Sequence, residues 1–282
     1  MSSHCNAADS AGPIATCVIP TRNRKVLVCE AIESVLVESI NLEVIVVDDC
    51  SSDGSWEALQ QRYAGSSRVR LIRHEKSQGP ATARNTGLRA ARGHYLTFLD
   101  DDDLSIAGRI ESQIALAKSE SADFVTSSVC LFETADGERQ HGRPFDRITL
   151  RNVWPRNPFI NVTCLAESRL IKSLEFDPLI KNGEDLDLWI RCLLTCRKTV
   201  NYSNPVIRYR RMGHASASRN RIRRFRSRLI FLRKYASLMG PGYAALHLAI
   251  TVAKLAVPEP HLFYNKLRFL SAKSRSHHTA FS

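Results

Sequence analysis

EVIVVDDCSSDGS, residues 43–55, joins a run of β-branched residues to a pair of aspartates and a glycine turn. An unbroken apolar run of this kind has the character of a strand covered on both faces, as in a parallel sheet. Upstream, ATCVI (15–19) reads as a second short strand ended by Pro20, and residues 24–38 place Val28, Ile32, Val35 and Leu36 at helical spacing. Downstream, residues 55–63 read as a helix, 69–72 as a strand, 81–92 as a helix closing at Gly93, and 94–99 as a strand that runs into four aspartates. Strands alternating with helices predict an α/β fold, a Rossmann-like and mostly parallel sheet with helices on both faces. Ligands of such sheets sit beyond the carboxyl ends of the strands. The polar clusters at 20–23, 48–52 and 100–103 fall at those ends, which places a site there before any chemistry is considered.

Farther along, residues 106–118 and 186–194 read as helices, and 124–132 and 206–210 as strands, with a turn at 136–137. Residues 138–162 carry three prolines and little periodicity, and read as a loop region facing a substrate. From about residue 219 the chain turns basic and helical. The expected organisation is a disordered start (1–13), an α/β domain (14–218) and a basic amphipathic helical tail (219–282).

At 44% hydrophobic and 24% charged, the 282 residues have the composition of a globular protein with a sizeable core, which excludes disordered and fibrous classes. The net charge of +12 is split. Residues 188–282 hold 19 Lys+Arg against a single acid, Glu259, for +18, leaving −6 on residues 1–187. A basic half of this strength is suited to phosphates on a substrate, a lipid surface or a nucleic acid. The eight cysteines form no CxxC pair and read as small buried hydrophobes in a reducing compartment. Residues 1–13 lack the basic start and apolar core of a signal peptide, and the longest apolar stretch, 243–257, is shorter than the ~20 residues a spanning helix needs, so the expected location is the cytoplasm.

The chemistry-bearing motifs each have two readings when taken alone. The carboxylates at 100–103 repel one another unless a cation relieves them. Asp100 and Asp102, two apart at a strand end, can reach one divalent ion, and hard oxygens suit Mg²⁺ or Mn²⁺ bridging a diphosphate. The same residues also suit a solvated acidic turn with Asp103 as helix N-cap. Asp49 can accept from a base N–H or a ribose hydroxyl, Arg84 can hold phosphate or base, and Asn85 follows it at the opening of a helix. In GEDLDLWIR (183–191), Asp185 and Glu184 stand at a helix start, where a carboxylate serves either as a general base or as a capping acid.

The order of the motifs VIPTRNR (18–24), VVDDCSSDGS (46–55), GPATARNTGL (79–88), YLTFLDDDDL (95–104) and GEDLDLWIR (183–191) resembles family 2 glycosyltransferases of the GT-A fold over about residues 14–218. The resemblance implies inversion at the anomeric carbon, a nucleotide-diphospho-sugar donor, a UDP-sugar above all, and a Mn²⁺ or Mg²⁺ cofactor. It puts Asp49 on the uracil, the segment with Pro20, Thr21 and Asn23 around the nucleotide, Arg84 near base and phosphates with Asn85 beside it, the metal motif on Asp100 and Asp102, and the catalytic base on Asp185, with Glu184 orienting the acceptor. The terminal motif of many relatives falls on YRRMGHASAS (209–218), with its histidine two places later, and implies His214 as a metal or diphosphate ligand. The acceptor implied is a glycan or lipid-linked sugar of bacterial surface-polysaccharide or lipopolysaccharide synthesis.

In the tail, Ile222, Phe225, Leu229 and Leu232 form one helical stripe with Arg221, Arg224 and Arg228 largely off it, the pattern of a helix lying on an anionic membrane surface. That places the protein peripherally at the inner face of the plasma membrane. Two other classes compete. A nucleotidyltransferase needs a glycine-rich loop after the first strand, which PTRNRK lacks. A nucleic-acid-binding protein needs a recognisable module and has against it the acidic front half; no nucleic-acid partner is expected.

Overall fold

In a computed structural model the described residues are 12–256, excluding 128, 135–136, 143–147, 154–158, 160 and 210–220. The first eleven residues, His214 and the chain beyond 256 therefore lie outside the described residues. The chain divides into two compact units, residues 1–179 with 183–214, and residues 180–182 with 215–282.

The first unit is built on a seven-stranded sheet. Strands β1 (Ala15–Thr21), β2 (Leu42–Asp48), β3 (Val69–Arg73) and β4 (Tyr95–Phe98) are mutually parallel, with β1 between β2 and β4. Every residue of β1 and β2 is buried, as their β-branched composition requires. β1 does not stop before Pro20: it continues through Pro20 and Thr21, which pair in register with Val47 and Asp48. Helices α1 (Lys25–Leu36), α2 (Ser55–Tyr63) and α3 (Pro80–Ala90) connect these strands. α3 lies very close to the sheet because position 87 is glycine: a Cβ there would stand 2.4 Å from Val18 Cγ1. This closeness sets the depth at which Arg84, three residues earlier, reaches the strand ends.

Beyond β4 the order is β9 (Leu165–Glu167), β6 (Phe124–Thr126) and β10 (Thr199–Asn201), and β9 runs antiparallel to both of its neighbours. Helix α4 (Arg109–Ser119) precedes β6, α6 (Ser168–Leu174) follows β9, and α7 (Glu184–Thr195) precedes β10. The single strand expected over 124–132 is divided between two sheets. β6 joins the large one, while β7 (Val129–Thr134) pairs with β8 (Gly137–Gly142) in a second sheet of order β5 (Leu104–Ser105), β11 (Ile207–Tyr209), β7, β8. The stretch expected to be a loop, 138–162, thus contains most of β8, a short helix α5 (Leu150–Val153) and the first two residues of a 3-10 turn (Asn161–Thr163).

An aromatic cluster fastens α7 over the sheet. Trp189 stacks on Phe124 at 5.4 Å and meets Phe98 edge-on at 6.2 Å, and Phe98 meets Phe176 edge-on at 5.1 Å. Each such pair contributes about 0.5–1.5 kcal/mol beyond burial. The start of α7 is thereby fixed relative to the end of β4. Cys17, Cys130, Cys164 and Cys192 are buried free thiols, and burial pushes Cys17 up to about 12, which keeps it inert.

In the second unit, α8 (Arg221–Met239) and α9 (Pro241–Ala256) are joined through Gly240, whose φ of +79° suits glycine. Among the described residues no helix is long and apolar enough to cross a membrane.

Candidate active site

The carboxyl ends of β1, β2 and β4 are tied into one polar network. At the end of β1 the Asp49 N–H donates to Thr21 O at 2.9 Å, and the Thr21 hydroxyl donates to Asp101 Oδ2 at 2.8 Å. Asn23 takes a left-handed backbone (φ 54°), which asparagine tolerates better than most residues. It links the β1 loop to the loop after β2: its N–H donates to Ser51 Oγ at 2.9 Å and its Oδ1 accepts from Ser52 N–H at 2.8 Å. Pro20 is buried within the strand. These residues build the rim of the site through contacts with one another.

Asp49 is buried, and four donors of its own chain surround its carboxylate. The backbone N–H groups of Gln78 and Gly79, the Ser77 hydroxyl and His74 Nδ1 all lie 2.8 Å away. Burial raises its pKa, but these hydrogen bonds outweigh burial and hold it below the usual carboxylate range. A carboxylate has about four acceptor sites, so a base N–H would have to displace one of these donors. The Ser77 hydroxyl can leave without stranding a backbone amide. Asp49 therefore also fixes the 77–79 loop that leads into α3.

Three of the four aspartates at 100–103 pair with arginines. Arg24 Nη1 bonds Asp101 Oδ1 at 2.8 Å and also pairs with Asp102, while Arg84 Nη2 bonds Asp100 Oδ1 at 2.7 Å. Repulsion at this strand end is thus met by guanidinium groups of the chain itself. Asp101 is the buried member. Burial, with Asp102 and Asp100 adding to it, pushes its carboxyl up to about 6 against the opposing pull of Arg24 and Thr21. Asp100 and Asp102 remain 29% and 28% exposed in their side chains. Two accessible hard-oxygen donors fit Mg²⁺ or Mn²⁺, which take one or two carboxylates and complete their shell with phosphate oxygens and water. Among the described residues no three His, Cys, Asp or Glu side chains converge on one point.

Arg84 joins this strand end to α7. It is buried, its Nη2 on Asp100 and its Nη1 on Glu184 Oε1 at 3.2 Å, with the guanidinium 5.5 Å from the centre of the Phe176 ring. Burial disfavours its charge, but Asp100 and Glu184 raise its pKa above the ordinary value. Gly183, at φ +85°, ends the preceding turn and starts α7 with Glu184 and Asp185 in its first turn, where the helix dipole favours acids. The Asp185 carboxyl accepts from Leu186 N–H at 2.8 Å. Burial and then Glu184 push it up to about 6, with Leu186 N–H and Arg84 opposing. Asp185 is thus poised near neutral pH, which suits a base, beside a guanidinium that also holds Asp100.

Asn85 does not join this group. Both ends of its amide clamp the backbone of Phe176, Nδ2 donating to Phe176 O and Oδ1 accepting from Phe176 N–H, each at 2.8 Å. The amide is engaged with the backbone of the segment beside Arg84. Asn85→Leu strands two buried backbone groups and should cost about 2 kcal/mol, with nucleotide affinity of the folded protein unchanged; urea unfolding and a nucleotide titration check this. Arg24, Phe176 and His74 are the site residues that the motif reading leaves out. Arg24 closes the VIPTRNR motif, and His74 carried no signal.

Comparison with known proteins agrees with this architecture. Residues 16–169 match the family model described as "Glycosyl transferase family 2". An uncharacterized glycosyltransferase of Haemophilus influenzae is 30% identical over 75% of this chain and 84% of its own length. The UDP-Glc:alpha-D-GlcNAc-diphosphoundecaprenol beta-1,3-glucosyltransferase WfaP of Escherichia coli is 28% identical over 73% of this chain and 80% of its own. Among solved structures, Staphylococcus aureus TarS 1–349 in complex with UDP-GlcNAc superposes with a TM-score of 0.66, covering 85% of this chain and 72% of that one at 19% identity. The mannosyltransferase PcManGT of Pyrobaculum calidifontis, in complex with GDP-Man and Mn²⁺, gives 0.58 over 97% and 77% at 21% identity. At those identities the structures speak for the fold. With the family model spanning more than half of the chain and a relative 30% identical over most of its own length, the protein belongs to glycosyl transferase family 2 and is a glycosyltransferase with the GT-A fold.

Proposed function

We propose that the enzyme moves a sugar, with inversion, from a nucleoside-diphosphate donor of the UDP type to a hydroxyl of a glycan or lipid-linked acceptor, in the building of a bacterial cell-surface polysaccharide or lipopolysaccharide. The observation that carries this reading is the position of Arg84, shared between Asp100 and Glu184 with Asp185 alongside. Relatives support the setting: TuaG of Bacillus subtilis (26% identical) is named for teichuronic acid biosynthesis, ExoU of Rhizobium meliloti (26%) for succinoglycan biosynthesis, and WfaP (28%) acts on a diphosphoundecaprenol-linked sugar.

In the proposed reaction Asp185 takes the proton of the acceptor hydroxyl, whose oxygen forms the new bond to the anomeric carbon. The bond from that carbon to the diphosphate breaks on the opposite face, and the nucleoside diphosphate leaves. Arg84 turns part of its charge from Asp100 to the departing diphosphate. Glu184 holds Arg84 and orients the acceptor. Asp100 and Asp102 would hold a divalent cation, which when bound neutralises charge on the diphosphate. Asp49, Pro20, Thr21 and Asn23 hold the loops that receive the nucleotide. His214 is proposed as a further ligand of the metal or diphosphate.

The test is the release of free nucleoside diphosphate from a panel of UDP-, GDP- and dTDP-sugars with Mn²⁺, with and without crude lipid-linked acceptor. Release from one UDP-sugar that rises with acceptor supports the reading. Equal background rates across the panel would refute it.

A further inference from the structure

In α8, the stripe expected to lie on a membrane, Ile222, Phe225, Leu229 and Leu232, is open at Ile222 and Leu229, 61% and 39% exposed, and partly covered at Phe225 and Leu232, while Ser227, Tyr235 and Met239 are buried on another side. The outward face of α8 comprises Ile222, Arg226, Leu229, Ile230 and Arg233, which at 100° per residue share an arc of about a third of the helix. On α9, the exposed residues include Leu246, Leu248 and Val252, with Ala245 and Ala249 between them, and no charged residue lies between positions 241 and 253. A solvent-facing helix normally presents its polar side outward; α9 presents an apolar one.

We infer that this two-helix unit is a docking surface for an anionic membrane, α9 laying its Leu246–Leu248–Val252 face into the headgroup region while α8 sets Arg226 and Arg233 against acidic headgroups. Charge selects this occupant over the others. Residues 221–256 carry six arginines, two lysines and no acid. A second copy would bring the same cationic surface against itself. The chain after residue 256 has the same sign, with four basic residues against Glu259. An anionic bilayer supplies both an apolar interior and the opposite charge. The inference does not depend on the donor, the acceptor or the catalytic roles proposed above, and its test needs no activity.

The experiment is flotation of the full chain with phosphatidylcholine vesicles containing about 30% phosphatidylglycerol, against phosphatidylcholine alone. The chain should float only with the anionic vesicles and sink as salt is raised. Arg226→Ser/Arg233→Ser should weaken partitioning about thirtyfold, at roughly fivefold per basic side chain near an anionic surface. Leu248→Glu/Val252→Glu should abolish flotation, with Leu248→Ser/Val252→Ser in its place should thermal unfolding show the glutamate variant misfolded. Wild-type chain left at the bottom with anionic vesicles, or Leu248/Val252 variants that float like wild type, would overturn the inference. So would a wild-type dimer that those variants turn into a monomer, since the apolar face would then be covered by a second copy.

Discussion

Asp185→Asn should lower kcat by on the order of 10²–10⁴-fold, the usual contribution of a positioned general base, while donor affinity changes by no more than about twofold. The amide keeps the shape and the acceptor for Leu186 N–H but cannot take a proton. The wild-type pH profile carries the same signature. With its carboxyl pushed up to about 6 by burial and by Glu184, Asp185 is the working base only when deprotonated. The rate should fall roughly tenfold per pH unit below about 6, and the variant's residual rate should lose that slope. Single-turnover kinetics with the best donor across pH 5–8, together with a nucleotide titration, separate the two effects. An unchanged rate in the variant would remove Asp185 from the chemistry.

Arg84→Met should have the largest effect on the protein itself. Removing one partner of a buried charge cluster costs about 3–5 kcal/mol. Here roughly 2–3 kcal/mol is expected, because the Asp100 side chain is 29% exposed and solvent screens part of the repulsion. The loss should depend on pH in a definite direction. Arg84 pulls the Asp185 pKa down; without it, burial, Glu184 and Asp100 push the Asp185 carboxyl further above its ordinary value. Groups shifted upward contribute stability that is present at low pH and lost as pH rises through the folded pKa. The deficit of the variant should therefore be largest at pH 8 and shrink toward pH 5. Urea unfolding at both pH values checks this. A deficit independent of pH would mean that Arg84 acts through packing on Phe176 alone. Nucleoside-diphosphate release should fall as well, since the leaving group loses its buried cation.

The parallel half of the fold was legible because its signals are local and redundant. β1, β2 and β4 are apolar runs, each followed by polar residues, α1 has helical spacing, and α3 opens on Gly79 and Pro80. β9 was not legible. Its three residues, LAE, have no period to read, and its place between β4 and β6 is set by long-range pairing with Tyr95, Leu96 and Thr97. The division of 124–134 into β6 and β7 has the same origin, since one continuous run feeds two sheets. At the candidate site, the motifs singled out Asp100, Asp102, Arg84 and Asp185, but what each side chain bonds was hidden. Asn85 is the clearest case: an amide beside a basic residue in a ligand-facing motif is spent on the backbone of Phe176, ninety-one residues away. The arginines that relieve the aspartates, Arg24 from the β1 loop and Arg84 from α3, lie 77 and 16 residues from their partners, and no spacing rule connects such pairs. In the tail, hydrophobic periodicity identified α8 as a helix, and the exposed face of that helix takes in Ile222 and Leu229 of the expected stripe together with Arg226 and Arg233.

In the proposed reaction the strand end at Asp100 and Asp102 grips a nucleoside diphosphate through a divalent cation while Asp185 acts separately. Calorimetric titration of UDP into the wild type, Asp102→Asn and Asp185→Asn, each with and without Mn²⁺, tests that division most directly. The predicted result is Mn²⁺-dependent binding that Asp102→Asn loses and Asp185→Asn keeps. Binding that ignores Mn²⁺, or that survives Asp102→Asn intact, would contradict it.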